Sequence, residues 1–215
     1  MTRSTYLTVR DSVEAEHETK RSRFLCRVER VADEPAARAV VDRARSTHWD
    51  ARHHVSAFIL GPDGAIQRSS DDGEPSGTAG TPVLDVLRGR EVSDVVAVVT
   101  RWFGGTLLGA GGLVRAYAEA ARLALDDAVL VSRQLMLLGT VSVDHAEAGR
   151  VEHELRSRGL SVLSTEYAAL ATVRVGVRPE ELSQAREWVA AATSGRATLD
   201  LHGESWIDAP PPLVE

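Results

Sequence analysis

The stretch DDGEPSGTAGTP, residues 71–82, sets three carboxylates beside a run of small residues. Two chemistries fit it. Asp71, Asp72 and Glu74 offer the oxygen ligands that a hard divalent cation such as Mg²⁺ selects, although the bidentate acid that completes a calcium loop is missing. Ser76, Gly77, Thr78, Ala79 and Gly80 offer something else. Small side chains let backbone N–H groups approach a ligand, and a helix beginning there favours negative charge, so a phosphate fits. A second stretch, GGTLLGAGG at 104–112, repeats the pattern, with Gly109, Gly111 and Gly112 leading into a helix. Neither matches GxxxxGK[ST] or GxGxxG. Tight turns and close helix–sheet packing also ask for glycine, and that explanation stays open beside the anion site.

Four cations complete the anion reading: Lys20 and Arg23 in KRSRF, Arg101 at the end of an apolar run, and Arg115 on the helix after the second turn. Paired or forked contacts from such side chains suit phosphate oxygens. His48, His53 and His54 lie close in sequence, but adjacent residues of a strand face opposite ways, so a zinc site lacks its third ligand. Ser76 has no GxSxG elbow around it. Cys26 is the only cysteine and reads as a small buried hydrophobe.

Elements must position these groups. STYLTV (4–9) and SRFLCRVERV (22–31) alternate as strands, and Asp33 caps an alanine-rich helix with Pro35 in its first turn. HHVSAFIL, the turn GPDG and AIQRSS form a hairpin. Thr81 is expected to cap, and Pro82 to start, a short helix that Gly89 ends. DVVAVVTRWF (94–103) reads as a central strand buried on both faces. The following helix runs to about Asp127, with Arg115, Glu119, Arg122 and Asp126 as a solvated charged stripe. From residue 133 the pattern is βαββαβ, the order of a ferredoxin-like unit, with a capping box expected from Asp144 and Glu147. We expect an α+β protein: an N-terminal α/β domain at 1–132, a ferredoxin-like domain at 133–207 and a flexible proline-rich tail at 208–215.

Composition bounds the function. The chain has 215 residues, 43% of them apolar, and a formal net charge of −6. A broad basic face for sequence-independent nucleic-acid binding is excluded, while a local basic patch is not. The N-terminus has no apolar signal region and no stretch approaches a bilayer span, so we expect a cytoplasmic protein without membrane partners.

KRSRF, DDGEPSGTAGTPVL and RWFGGTLLGAGGLVRAY, in this order, closely resemble the signature segments of the IMPACT family, in its bacterial YigZ-like branch. The resemblance covers about residues 15–130. It implies a first domain similar to the second domain of ribosomal protein S five, and a second similar to domain V of elongation factor G. Some small-molecule kinases share the first architecture and cradle nucleotide phosphates on a glycine-rich turn, which parallels Gly109–Gly112 by fold analogy alone. Eukaryotic relatives resemble translation regulators that work through a protein partner. We therefore expect a translation-associated regulatory protein that binds nucleic acid, RNA or the ribosome through a phosphate pocket, rather than an enzyme. Two alternatives stand: a Mg²⁺-dependent enzyme acting on a nucleotide or phosphorylated small molecule, and a protein-interaction module.

Overall fold

A computed structural model describes residues 3–209. The chain divides into two compact units, one formed by the chain up to Ser132 together with Ala209, and one spanning Arg133–Asp208. The first contains β1 (Thr5–Val9), β2 (Val13–Thr19), β3 (Ser22–Arg30), α1 (Glu34–Thr47), β4 (His53–Leu60), β5 (Ile66–Ser70), α2 (Gly80–Gly89), β6 (Val95–Trp102) and α3 (Ala110–Asp127). Five of its strands form an antiparallel sheet in the order β2-β3-β6-β4-β5.

The unbroken apolar run of β6 is explained by its place in the middle. Val95, Ala97 and Val99 enter the core that α2 and α3 cover, with Cys26, Val55 and Leu87. Val96 and Val98 turn the other way, onto Val40 and Phe58 beneath α1. Each buried valine contributes about 1.5–3 kcal/mol. Asp33 caps α1 as expected, accepting from Ala36 N–H at 2.8 Å.

Strand β2 is not evident from sequence. Its outward row is Glu14, Glu16 and Glu18, and the row beneath is Val13, Ala15, His17 and Thr19. Acids along an edge strand resist pairing with another chain, and they dilute the apolar signal. Thr19 pairs with Ser22, so Lys20 and Arg21 make a two-residue turn with φ +46° and +64°. Asn-Gly is the usual choice there. Packing holds the turn in place. A Cβ on Gly104 would lie 2.0 Å from the carbonyl carbon of Arg21, and Gly104 N–H donates to the buried Ser22 hydroxyl at 3.2 Å.

The second unit holds most of β7 (Leu130–Val143), then α4 (His145–Ser157), β8 (Ser161–Tyr167), β9 (Ala171–Val177), α5 (Leu182–Thr193) and β10 (Asp200–Ala209). Its sheet order is β10-β7-β9-β8, the order a split βαββαβ unit requires. Val151, Leu155, Ala185 and Val189 of the helices pack on Val141, Val173 and Val175 of the strands. The expected capping box does not form. Asp144 makes no side-chain cap bond, and Glu147 pairs with Arg150 and Arg196 instead. Residues 208 and 209, assigned to the tail by sequence, belong to β10, and the remainder of that tail lies outside the described residues. Among the described residues no helix is long and apolar enough to cross a membrane.

The contact at Gly104 yields a direct test. Gly104→Ala lowers unfolding free energy by about 3 kcal/mol or more, because backbone and not a flexible side chain blocks the methyl. Gly89→Ala, where nothing lies within 4 Å of the added Cβ, leaves it within about 0.5 kcal/mol in the same urea titration.

Candidate functional site

The backbone donors of the first glycine-rich loop are already in use. Asp71 Oδ2 accepts from Gly77 N–H at 2.8 Å, and Oδ1 accepts from Ala79 at 3.1 Å and Gly80 at 2.8 Å. The loop thus folds around its own anion. Burial opposes the charge on Asp71, but the N–H groups of Gly77, Gly80 and Ala79 outweigh it and hold the carboxyl below its ordinary range. This corrects two expectations. A phosphate on Ser76–Gly80 would have to displace Asp71, and the helix there is capped from outside by Asp71 and not by Thr81. Helix α2 begins at Gly80 with Ala79 as N-cap and has no side-chain bond from within the cap sequence. Close packing accounts for Gly80 itself, since a Cβ would meet the backbone of Ser70 at 2.9 Å. Ser76 is exposed, and Thr78 turns its hydroxyl onto the Pro75 carbonyl at 2.6 Å.

The three acids proposed for Mg²⁺ diverge. Asp72 accepts from Arg45 at 2.7 Å and from His54 N–H at 2.6 Å. Glu74 is buried, and its Oε1 accepts from Arg101 and from the Tyr117 hydroxyl, the latter at 2.7 Å. Among the described residues no three His, Cys, Asp or Glu side chains converge as a metal site. A buried carboxylate and guanidinium pay heavily for lost water, and the pair is tolerable because each balances the other's charge. The Tyr117 hydroxyl is pushed far above its ordinary pKa, by burial first and then by donation to Glu74. The Arg101 guanidinium lies between two rings, 5.4 Å from the Phe24 centroid and 5.7 Å from that of Phe103.

His53 and His54 do face opposite ways. His54 is buried against the His48 carbonyl, and burial leads the causes that hold its pKa below the ordinary value. His53 Nδ1 lies 2.8 Å from the Asp72 carbonyl, which can only accept, so Nδ1 carries the hydrogen. His53 Nε2 then points toward Glu74 Oε1, 3.9 Å away.

The second glycine-rich turn differs from the first. Gly109, at φ +72°, is the N-cap of α3, and its carbonyl accepts from Gly112 and Leu113 at 3.0 and 2.9 Å. The helix has no side-chain cap and no acid in its first turn. Among the described residues the N–H groups of Ala110 and Gly111 have no acceptor, as the first donors of a helix lack one unless it is supplied from outside. Two clefts border this helix start, and Leu108 lines both. One, of about 490 Å³, is lined by His17, Lys20, Gly112, Arg115, Glu119 and Arg122. Glu119 is engaged by Arg122, which leaves Lys20 and Arg115 without an ion pair among the described residues. The other, of about 420 Å³, is lined by Arg52, His53, Glu74, Arg101, Phe103 and Leu107, with Gly109 and Ala110 at its edge. Arg23 joins neither cleft. It stacks on Trp102 at 3.8 Å and sits 4.0 Å from Glu16.

Comparison with known proteins follows the same division. The Impact N-terminal domain matches residues 20–125, and a domain of unknown function, DUF1949, matches residues 141–196. IMPACT family member YvyE of Bacillus subtilis is 38% identical over 194 residues, covering 90% of this chain and 89% of that protein. The chain belongs to the IMPACT family. IMPACT family member YigZ of Escherichia coli is 34% identical over 184 residues, covering 85% of this chain and 90% of that protein. The yeast Protein IMPACT homolog is 36% identical over 93 residues, 41% of this chain and 35% of its own length. A solved structure described as that of a hypothetical protein superposes with a TM-score of 0.64 at 32% identity, covering 92% of this chain and 97% of that one.

In this IMPACT family member, sequence reasoning missed Arg52, Tyr117, Phe103 and Leu107. Tyr117 had a signal available: it is the polar residue on the buried face of α3, four after Leu113 and three before Ala120. Phe103 and Leu107 had none, because exposure is a property of the fold.

Asp71 gives this geometry a pH signature. Its folded pKa is depressed, so its contribution to stability is full above its unfolded pKa of about 4 and is lost as pH falls through the lower folded value. Asp71→Asn lowers stability at pH 7 by about 1–2 kcal/mol, the scale of a lost N-cap. It also flattens the acid limb of the stability–pH curve below about pH 4 in denaturant titrations. Parallel acid limbs for the two proteins would contradict the assignment.

Proposed function

We propose that this IMPACT family member is a translation-associated binding protein that holds a phosphate of RNA at the start of α3. One contrast carries the reading. Two glycine-rich turns open helices in the first unit; Asp71 fills the first, while among the described residues the second keeps N–H groups without an acceptor, near Arg115 and Lys20, which have no ion pair. Free donors, a helix dipole and two cations form the usual setting for a phosphate oxygen. Family membership supports the link to translation regulation, and the ferredoxin-like second unit, similar in strand order to domain V of elongation factor G, is consistent with a ribosomal setting.

The net charge of −6 sets the scale of contact. A small basic site on an acidic chain neutralises few phosphates, so binding relies on a local arrangement rather than on a broad positive surface. Asp71, Asp72 and Glu74 each accept from a protein donor, which supports binding of the phosphate by N–H groups and cations rather than through Mg²⁺.

Fluorescence anisotropy with single-stranded RNA tests this. Log affinity is expected to fall against log salt with a slope of about −1.4 to −2, corresponding to two or three phosphates on a single strand. Lys20→Ala with Arg115→Ala lowers affinity at low salt at least about tenfold. Ala110→Pro, tolerated at the first helical position, removes one N–H and weakens binding by a few-fold. Absence of RNA binding at low salt, together with no co-sedimentation with ribosomes, overturns the proposal.

A further inference from the structure

We propose that the cleft formed by Arg52, His53, Arg101, Phe103 and Leu107 receives the base of an unstacked nucleotide whose phosphate rests at the start of α3. The inference rests on the phosphate reading above and specifies the ligand unit. It begins from an unmade bond. Arg101 is buried, with 6% exposure, and lines the cleft, and among the described residues its Nε–H has no acceptor. Buried donors are nearly always satisfied, so one left open on a side chain that lines the cleft marks a place for a ligand acceptor.

The floor also specifies what that acceptor belongs to. The Glu74 carboxylate is occupied by Arg101 and Tyr117, so the guanidinium charge is already balanced and does not call for a second carboxylate or a phosphate. A neutral carbonyl oxygen or ring nitrogen suits Arg101 Nε–H. Beside it, His53 donates from Nδ1 to the Asp72 carbonyl, and its ring lines the same cleft. A donor among these groups suits the edge of a nucleobase, which presents a ring nitrogen or carbonyl oxygen.

The walls are of a different kind. Phe103 is 44% and Leu107 83% exposed, and Leu108 and Leu113 continue the apolar lining. Large apolar side chains left in water at a cleft mouth, with polar groups below, are the arrangement of a pocket for a flat, partly polar ligand. The Phe103 ring supplies a stacking face, and the volume of about 420 Å³ exceeds that of a base. Gly109 and Ala110 line the same cleft, so a base within it keeps its own phosphate near the free N–H groups of Ala110 and Gly111. An apolar side chain of a protein partner could cover Phe103 and Leu107, but it would leave Arg101 Nε–H unmet.

The test is an NMR titration of the full chain with AMP, UMP, adenosine and ribose 5-phosphate. Both nucleotides are expected to bind about tenfold or more tightly than ribose 5-phosphate, from stacking on Phe103. Phe103→Ala and Leu107→Ala, both at exposed positions, remove that advantage and leave ribose 5-phosphate affinity unchanged. If nucleotides and ribose 5-phosphate bind equally to the native protein, the base cleft is overturned and the phosphate site stands. If adenosine binds as tightly as AMP and Lys20→Ala with Arg115→Ala changes nothing, the base cleft stands and the phosphate reading falls. If no compound binds at millimolar concentration, both are overturned, and the apolar mouth belongs to a protein partner.

Discussion

The carboxylate of Asp71, gripped by the N–H groups of Gly77, Ala79 and Gly80, holds the site together. It closes the loop on itself and fixes where α2 begins. That in turn sets the two acids that follow it. Asp72 is carried to Arg45 of α1 and to the backbone of His54, and Glu74 is carried inward to Arg101. The three carboxylates of this loop together tie α1, β4, β6 and the start of α2. Asp71 also removes from solvent the very donors that a glycine-rich loop offers to a phosphate.

Glu74 and Arg101 carry the consequence inward. A buried ion pair is weak evidence for stability, because desolvation offsets most of its attraction. What the pair contributes here is arrangement. The Tyr117 hydroxyl donates to the same carboxylate oxygen, and the Tyr117 ring meets Phe24 edge-on at 5.1 Å. The Arg101 guanidinium is thereby fixed against α3 at the floor of a cleft whose rim is the α3 N-terminus. The two glycine-rich turns differ in role for this reason: the first is a closed structural knot, and the second is an open edge.

Much of the fold was legible in the sequence. The unbroken run of β6, the Asp33 cap, the GPDG hairpin and the βαββαβ order all follow from local patterns, and local patterns are what helices and strands are made of. Strand β2 was not legible, because Ala15 and His17 give its inner row little apolar contrast with the glutamates beside them. The start of α2 was misread for a different reason. Capping rules look within three residues of the helix, whereas the cap is Asp71, eight residues before Ala79. The candidate site was legible as a set of residues but not as a grouping. Lys20 and Arg115 meet at one cleft, Arg101 and Gly109 at another, and Arg23 is absorbed by Trp102. Such sorting depends on sheet register and on which way a loop closes, and neither is written in spacing.

We propose that the anion site of the first unit lies at the start of α3 and not in the loop that Asp71 fills. A crystal structure of the protein soaked in phosphate tests it most directly. An ordered anion is expected within hydrogen-bond reach of Ala110 and Gly111 N–H and of Arg115 or Lys20, with Asp71 still bound by Gly77, Ala79 and Gly80. An anion seated on Gly77, Ala79 and Gly80, with Asp71 swung out to solvent, would contradict it.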